Sequence, residues 1–567
     1  MNDLAIKNAL VLDGNGGEPF AGHVSVRDGK IVDIRPASDP AEPAPAKETV
    51  SAQGLALMPG IVDLHTHYDA QVTWDNTLSP SPALGVTTAV MGNCGFGIAP
   101  CPPEQRETML RNLSVVEGMD LPALLQGVQW KFESFAQYLD QVRQLGPMIN
   151  VAVFAGHSAI RTAVMGESAS GADEPSESQL ARMRALVVEA MQAGAIGFAS
   201  SFSPNHSGYG GRPMPSTVAT DYELQVLTDA MAENGNGVFM SATGSRLSPD
   251  KMEAIVERTG RPGFISTVLS MHNESNPELC KTYYAACRAS LARGNPMYML
   301  TSCQPLRFDF SLRDPYLLLS HNAFDAIGDK SDPVLESVYR SPAFREKFRQ
   351  NLREPGDGIL FLGDWARMEI SRVGDASLAD CQNKSIAALA AEQSKDPVDV
   401  FFDLALQDNL DTRFIARLFQ DDDDGVAELL KDPASVVTLS DAGAHLLYFC
   451  DAGFGLHFLS HWVRETKTFS LAEGVRRLTS EPADRFCIPQ RGRLAVGNPA
   501  DLLLFDPDQV GLSAPLSVSD LPGGAARMVR EPVGCHGVWV NGVKVHDGAN
   551  YTSLARGPGT VLSQFSA

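Results

Sequence analysis

Apolar and polar positions follow two different rhythms along this chain. Between residues 1 and 56 the apolar runs are short and bounded by turns. Leu4, Ile6, Ala9 and Val11 lead to Asp13-Gly14 and Gly16-Gly17, the run His23 to Val26 leads to Asp28-Gly29, and Lys30 to Ile34 follows. Asp-Gly pairs between short apolar runs predict β-hairpins, because glycine supplies the positive φ that tight hairpin turns need. Prolines at 36, 40, 43 and 45 predict a stiff, exposed excursion. From Leu57 the rhythm changes to short apolar strands alternating with helices. Eight strands are predicted: Leu57–His67, Val86–Gly92, Asn150–His157, Ala195–Ser201, Gly237–Thr243, Gly263–Ser270, Met297–Gln304 and Val436–Asp441. Between them, Leu180, Met183, Leu186, Val187, Ala190 and Met191 share one helical face that stops at Gly194. Thr220 to Glu223 reads as a capping box, and Ser248-Pro249 opens a further helix ending at Gly260.

Strands alternating with helices imply parallel pairing with helical crossovers. Eight such units in one run favour a closed (β/α)8 barrel, although periodicity alone leaves an open sheet as the alternative. Two stretches depart from the rhythm. Residues 95–144 carry helical patches near Met109 and Phe135. Residues of about 305–435 are far longer than one crossover and read as an insertion over the barrel's C-terminal face, in the manner of a lid. After a helix at Leu471–Thr479, β-like alternation returns through Gly492 to Phe505 and a hairpin with an Asn541-Gly542 turn. The expected organisation is therefore a small β-sandwich domain from residues 1–56 and 489–549, a barrel over 57–488, and a tail over 550–567.

Composition narrows the functional classes. With 46 Lys and Arg against 68 Asp and Glu, the net charge is 46 − 68 = −22. So acidic a chain is not expected to bind nucleic acid. No apolar run reaches the roughly 20 residues of a membrane helix, and the start, MNDLAIKNALVLDG, lacks the pattern of a secretory signal. Nine cysteines at irregular spacing, with no CxxC, read as reduced thiols of a cytoplasmic protein. The acidic run Asp421–Asp424 lacks the spaced ligands of a calcium loop and reads as solvated. His457 and His461 are spaced i, i+4 but without the glutamate of HExxH, so they read as structural.

The chemistry concentrates at predicted strand ends. His65 and His67 stand two apart, so both point to the same side of an extended strand. Cys94 follows the second strand in Gly92-Asn93-Cys94-Gly95. Two imidazoles and a thiol suit zinc. At the end of the eighth strand, Asp441 stands where a carboxylate can bind that metal or move a proton for a metal-activated water. His157, Arg161, Ser201, Arg246, His272, Arg307 and His445 are further candidates to contact a substrate.

These residues resemble the amidohydrolase superfamily and, more narrowly, the N-acyl-D-amino-acid deacylase (D-aminoacylase) family. The matching strings are Pro59 to Asp69, Gly85 to Thr88, Gly92 to Phe96, Gly156-His157 with Arg161 and Met165-Gly166, Ala193 to Phe198, Ser440-Asp441, and Gly497 to Leu502. The resemblance spans nearly the whole chain. It implies a distorted (β/α)8 barrel, a β-sandwich from both termini, and zinc-dependent hydrolysis of the amide of an N-acyl amino acid, D-configured in that family, or of a similar small amide. His65, His67 and Cys94 become metal ligands, and Asp441 the catalytic acid/base and a fourth ligand. The histidines that the family places at the fifth and sixth strand ends are missing: Val238 to Arg246 and Phe264 to Ser270 contain none. One zinc then fits the remaining ligands, two staying open as the alternative, with His272 a candidate substitute. Two other readings stay open. The same apparatus serves a cyclic amide, carbamate, lactone or ester, and a barrel without catalysis serves binding. The expected partner is a small molecule, with no nucleic acid and no membrane, and a homo-oligomer is compatible with the sequence.

Overall fold

The computed structural model describes residues 1–40, 43–171, 173–266, 268–327, 331–356, 359–446, 448 and 450–565. Positions 41 and 42 of the proline-rich excursion, and position 267 of the predicted sixth strand, lie outside them. The chain forms two compact units: residues 1–271, 277–304 and 424–567, and residues 272–276 with 305–423.

In the first unit both chain ends meet in one eight-stranded sheet. Its order is Val543–His546, Cys535–Val540, Leu502–Phe505, Ala56–Pro59, Asn2–Val11, Phe20–Arg27 and Lys30–Pro36, with Ala46–Ser51 also paired to Asn2–Val11. Leu503 pairs antiparallel with Met58, which ties residues far apart in sequence. Val24, Val26, Ile31, Leu502, Leu504 and Trp539 are buried together on it.

The long run Leu57–His67 is not one strand. It breaks at Gly60, where Ala56–Pro59 ends in the eight-stranded sheet and Ile61–Asp63 opens a parallel one. A Cβ on Gly60 would lie 2.1 Å from the Thr87 side chain, so the crossing requires glycine. Ile61–Asp63, Val86–Met91 and Asn150–Val153 pair in parallel. Ala155–Gly156, Gly197–Ser201, Val238–Ala242, Gly263–Ile265, Met297–Thr301 and Ser435–Val437 form a second parallel series. The predicted third strand is interrupted at Phe154. Phe154 N–H reaches Met91 O at 2.9 Å while Ile196 N–H reaches Val153 O at 3.0 Å, linking the two series. At the far ends, Leu64 N–H reaches Thr438 Oγ1 at 2.8 Å, and Thr66 bridges Ala442 in parallel.

Alternate residues of these strands face two different cores, as strands buried on both sides must. Val62, Val90, Ala152, Ala199, Met240, Phe264, Leu300 and Val436 pack in one cluster. Their neighbours Ile61, Ala89, Val151, Phe198, Phe239, Ile265, Met299 and Val437 pack in another with the helices. The helix Glu177–Ala193 has the full capping box, Ser176 with Gln179, and ends at left-handed Gly194. The tail also takes part: Val151 N–H reaches Thr560 O at 2.9 Å, and Leu562 N–H reaches Val151 O at 2.8 Å.

The second unit has a three-stranded antiparallel sheet, Leu306–Ser311, Arg413–Phe419 and Met368–Arg372. Its core is aromatic, with Phe324, Tyr339, Phe344, Phe348 and Phe402 in edge-to-face and stacked contacts. The acidic run is not simply solvated. The Asp421 side chain is only 5% exposed and accepts from Arg307 at 2.6 Å and Arg417 at 3.0 Å. Across the described residues no helix is long and apolar enough to cross a membrane.

Gly60→Ala is expected to destabilise the chain by about 1–3 kcal/mol through overpacking, measured by denaturant titration. Thr87→Ala in the same background is expected to restore part of the loss. No restoration would mean that the contact with Thr87 is not the cause.

Candidate metal centre

The first parallel strand continues beyond Asp63 in extended form, and its period of two sets His65 and His67 side by side, ring centroids 5.2 Å apart. After the second strand the chain turns tightly. Gly92 (φ +80°), Cys94 (φ +54°) and Gly95 (φ +77°) are all left-handed. A Cβ on Gly95 would meet Ala199 O at 2.6 Å. Buried Asp69 accepts the Gly92 N–H at 3.0 Å and holds this turn in place. Cys94 Sγ thereby comes to 3.7 Å from His65 Nε2. The ligand atoms of His65, His67 and Cys94 lie within 4.8 Å of one another, all buried.

The segment after the eighth strand is unusually contorted. Leu439 (φ +81°), Asp441 (φ +47°) and His445 (φ +52°) are non-glycine residues in the left-handed region. Such strain persists only where surrounding contacts over-determine it. Here Ser440 Oγ donates to Asp63 Oδ2 at 2.5 Å, and His67 N–H reaches Ala442 O at 2.7 Å. The result places Asp441 Oδ1 at 3.2 Å from His65 Nε2 and 3.5 Å from His67 Nε2.

The other ring nitrogens are held by the protein. His65 Nδ1 lies 3.3 Å from Ser266 Oγ, and His67 Nδ1 lies 3.1 Å from Glu117 Oε1. Both imidazoles therefore turn Nε2 towards Cys94 and Asp441. Burial pushes His65 down to about 4, against the pull of Asp441. Burial raises the Cys94 thiol well above its ordinary value. For Asp441 burial is outweighed by His67 and His65, and its carboxyl is held well below the usual range. At His67 burial is outweighed by the carboxylates of Glu117 and Asp441, which raise the imidazole to about 9, so it gives up a proton when it binds a cation. One neutral-tending imidazole, a second that exchanges its proton for a metal, a thiol that needs a cation to ionise and a carboxylate form a donor set that fits zinc.

The amidohydrolase family model matches residues 48–328 and 363–546, most of the chain. The chain belongs to the amidohydrolase family. With that family comes metal-dependent hydrolysis of an amide C–N bond. A D-aminoacylase of Alcaligenes xylosoxydans xylosoxydans is 27% identical, with 100% of this chain and 98% of that protein covered. Among solved structures, a D-aminoacylase superposes with a TM-score of 0.67 at 22% identity, covering 100% of both chains. An N-acyl-D-glutamate deacylase from Bordetella bronchiseptica, complexed with zinc and a phosphonate inhibitor, superposes with a TM-score of 0.66 at 24% identity, covering 99% of this chain and 100% of that one.

In this amidohydrolase the other candidate residues fall into three groups. His157 and Arg161 are engaged inside the protein. His157 contacts Ser200 Oγ at 2.8 Å and Glu223 Oε1 at 2.9 Å. Arg161 pairs with Glu223 and donates to Ala169 O at 2.8 Å and Asp173 O at 3.2 Å. The Thr220–Glu223 string is thus only half a capping box: Thr220 Oγ1 accepts the Glu223 N–H, while the Glu223 side chain is the buried anion between His157 and Arg161. Arg246 donates to Thr217 O and Ala219 O, both at 3.0 Å. Ser201 Oγ lies 2.6 Å from His206 Nδ1, and His445 stands in the electrostatic neighbourhood of Asp441 and His67. His272 and Arg307 belong to the second unit, where His272 N–H reaches Gln420 Oε1 at 2.7 Å and Arg307 pairs with Asp421.

Four residues escaped the sequence reading: Glu117, Ser266, His206 and Arg530. His206 follows the fourth strand, with Nδ1 2.6 Å from Ser201 Oγ and its ring edge-on to Phe96. Burial, with His445 and His67 nearby, pushes it down to about 3, so it is neutral. Its signal was its place in a strand-end loop. Glu117 carried only a weak one, a lone acid before Gly118 at the end of an apolar helix face.

Glu223→Leu is expected to destabilise the protein by about 3–5 kcal/mol by stranding a buried guanidinium, read as a lowered denaturation midpoint. Unchanged stability would show that the Ala169 and Asp173 carbonyls suffice for Arg161.

Proposed function

We propose that this amidohydrolase is a zinc-dependent deacylase of N-acyl amino acids. In this reading its parallel strands close into a (β/α)8 barrel over residues 57–488, and residues 1–56 and 489–549 form the accompanying β-sandwich domain. One observation carries the reading: His65 Nε2, His67 Nε2 and Cys94 Sγ converge with Asp441 Oδ1 at the ends of the first, second and eighth strands. These four residues are the ligand set for one zinc ion. Zinc there supplies a Lewis acid that makes water a usable nucleophile near neutral pH. Asp441 accepts the proton of the attacking water and returns it to the leaving nitrogen. Its ionised state suits the first of these tasks.

An amino-acid product carries a carboxylate, which calls for a cation. Arg161 and Arg246 already donate to groups of the protein. Arg530 is assigned this role. Its Nε is buried with no hydrogen-bond partner among the described residues. Two residues earlier, Met528 N–H reaches Leu446 O at 2.7 Å in the loop after the eighth strand. Arg530 also opposes the burial-driven rise of Asp451, which reaches about 7 and is raised further by Asp441. The guanidinium therefore stands in the electrostatic neighbourhood of the proton carrier.

Elemental analysis is expected to find one zinc per chain, lost with His65→Ala, His67→Ala or Cys94→Ala. Asp441→Asn is expected to lower kcat by about 10²–10⁴-fold on N-acyl amino acids, and unchanged turnover would remove Asp441 from the mechanism. A panel of N-acyl-D- and N-acyl-L-amino acids, cyclic amides, carbamates, lactones and esters tests the substrate class. Arg530→Met is expected to raise KM for the N-acyl amino acids about 10–100-fold and to leave the corresponding N-acyl amino-acid amides unaffected. Equal loss on both would assign Arg530 a structural role.

A further inference from the structure

One buried carboxylate at this centre has no role in the mechanism above. Glu117 is 3% exposed and directly follows the helix Arg106–Val116, where Gly118 (φ +54°) turns the chain back. A carboxylate in such a place is costly unless it is hydrogen-bonded. Its Oε1 lies 3.1 Å from His67 Nδ1. Its backbone carbonyl accepts the His445 N–H at 2.5 Å. One residue thus meets the second metal-ligand histidine through its side chain and the Asp441–His445 loop through its main chain.

We infer that Glu117 is the positioning residue that makes His67 a metal ligand. By accepting the Nδ1–H it fixes the tautomer, leaves the Nε2 lone pair free, and turns that atom towards Cys94 and Asp441. The two histidines are held unequally. His65 Nδ1 faces a neutral hydroxyl, Ser266 Oγ, at 3.3 Å, whereas His67 Nδ1 faces a carboxylate at shorter range. An anionic acceptor makes its imidazole the more basic donor, so His67 contributes more to metal affinity than its partner does. This inference rests on the zinc reading above.

The test is zinc affinity, measured by competition with a chromophoric chelator on metal-free protein reloaded with zinc. The wild type, Glu117→Ala and Glu117→Gln are compared. All three keep the backbone carbonyl that holds His445. Each is expected to bind one zinc per chain. Glu117→Ala is expected to bind it about 10–100-fold more weakly. Glu117→Gln is expected to recover most of that loss, because the amide oxygen still accepts the Nδ1–H. Glu117→Asp, whose carboxylate is withdrawn by one methylene, provides a second variant if Glu117→Ala does not fold. It is expected to bind more weakly than Glu117→Gln. Zinc affinity equal to wild type in Glu117→Ala, or in Glu117→Asp, would overturn the inference. So would a wild type with two zinc ions and variants with one, which would make Glu117 a ligand. A wild type that binds no zinc would instead sink the underlying zinc reading.

Discussion

Ser440 Oγ donating to Asp63 Oδ2 is the contact on which the centre depends. Both residues are fully buried, and burial pushes the Asp63 carboxyl up to about 7. The same carboxylate accepts the His65 N–H at 3.2 Å, and Ser440 Oγ accepts the Ala442 N–H at 3.0 Å. The pair therefore sets how the chain leaves the first strand and how it leaves the eighth. His65 and His67 come from one side of this joint, and Asp441 from the other. The left-handed residues from Leu439 to His445 are held on it as well. A buried acid costs stability, and here it fixes the relative position of two chain segments whose side chains must meet within about an ångström of a working geometry.

The layout of the fold was legible in the pattern of the chain. The alternation of strands and helices from residue 57 anticipates the parallel pairing, because strands covered on both faces must read as continuous apolar runs. The strand ends were less legible. Leu57–His67 reads as one run, yet it divides between two sheets at Gly60, where the close approach of Thr87 leaves no room for a Cβ. Thr220–Glu223 has the form of a capping box, but a buried His157 and Arg161 compete for the same glutamate and win it. A local pattern cannot reveal a competitor that is remote in sequence. Asp421 misled in part for the same reason: Arg417 is four residues away, but Arg307 comes from a strand more than a hundred residues earlier.

The site divides along similar lines. His65, His67, Cys94 and Asp441 could be found because their positions follow from strand period and strand end. Glu117, Ser266 and His206 could not, since they act as partners of those groups and are placed by folding rather than by spacing. Ser266 illustrates the point. The sixth strand lacks the histidine that the family resemblance led one to expect, and the serine that follows Ile265 instead faces His65 Nδ1. The sixth strand thus meets the centre through Ser266, beside an imidazole that comes from the first strand.

The rim of the site is built differently from its floor. Residues 117–124, the loop after the eighth strand and residues 521–530 meet there, with Ala123, Leu446 and Leu521 in one small apolar cluster. The C-terminal piece leaves the eight-stranded sheet to reach this place, anchored where Arg527 donates to Ser79 O at 2.7 Å and Met528 N–H to Leu446 O. Asp441 at the start of the loop after the eighth strand is the one proposed metal ligand on these three segments. Apart from Glu117, Ser440 and Asp441, side chains on them can change without disturbing the Asp63–Ser440 joint or the convergence of the two imidazoles. In the proposed reading, chemistry sits on strand ends that are over-determined by buried contacts, and recognition by Arg530 sits on a loop that is not. That separation explains how a chain can keep the amidohydrolase apparatus at low sequence identity while its substrate preference moves.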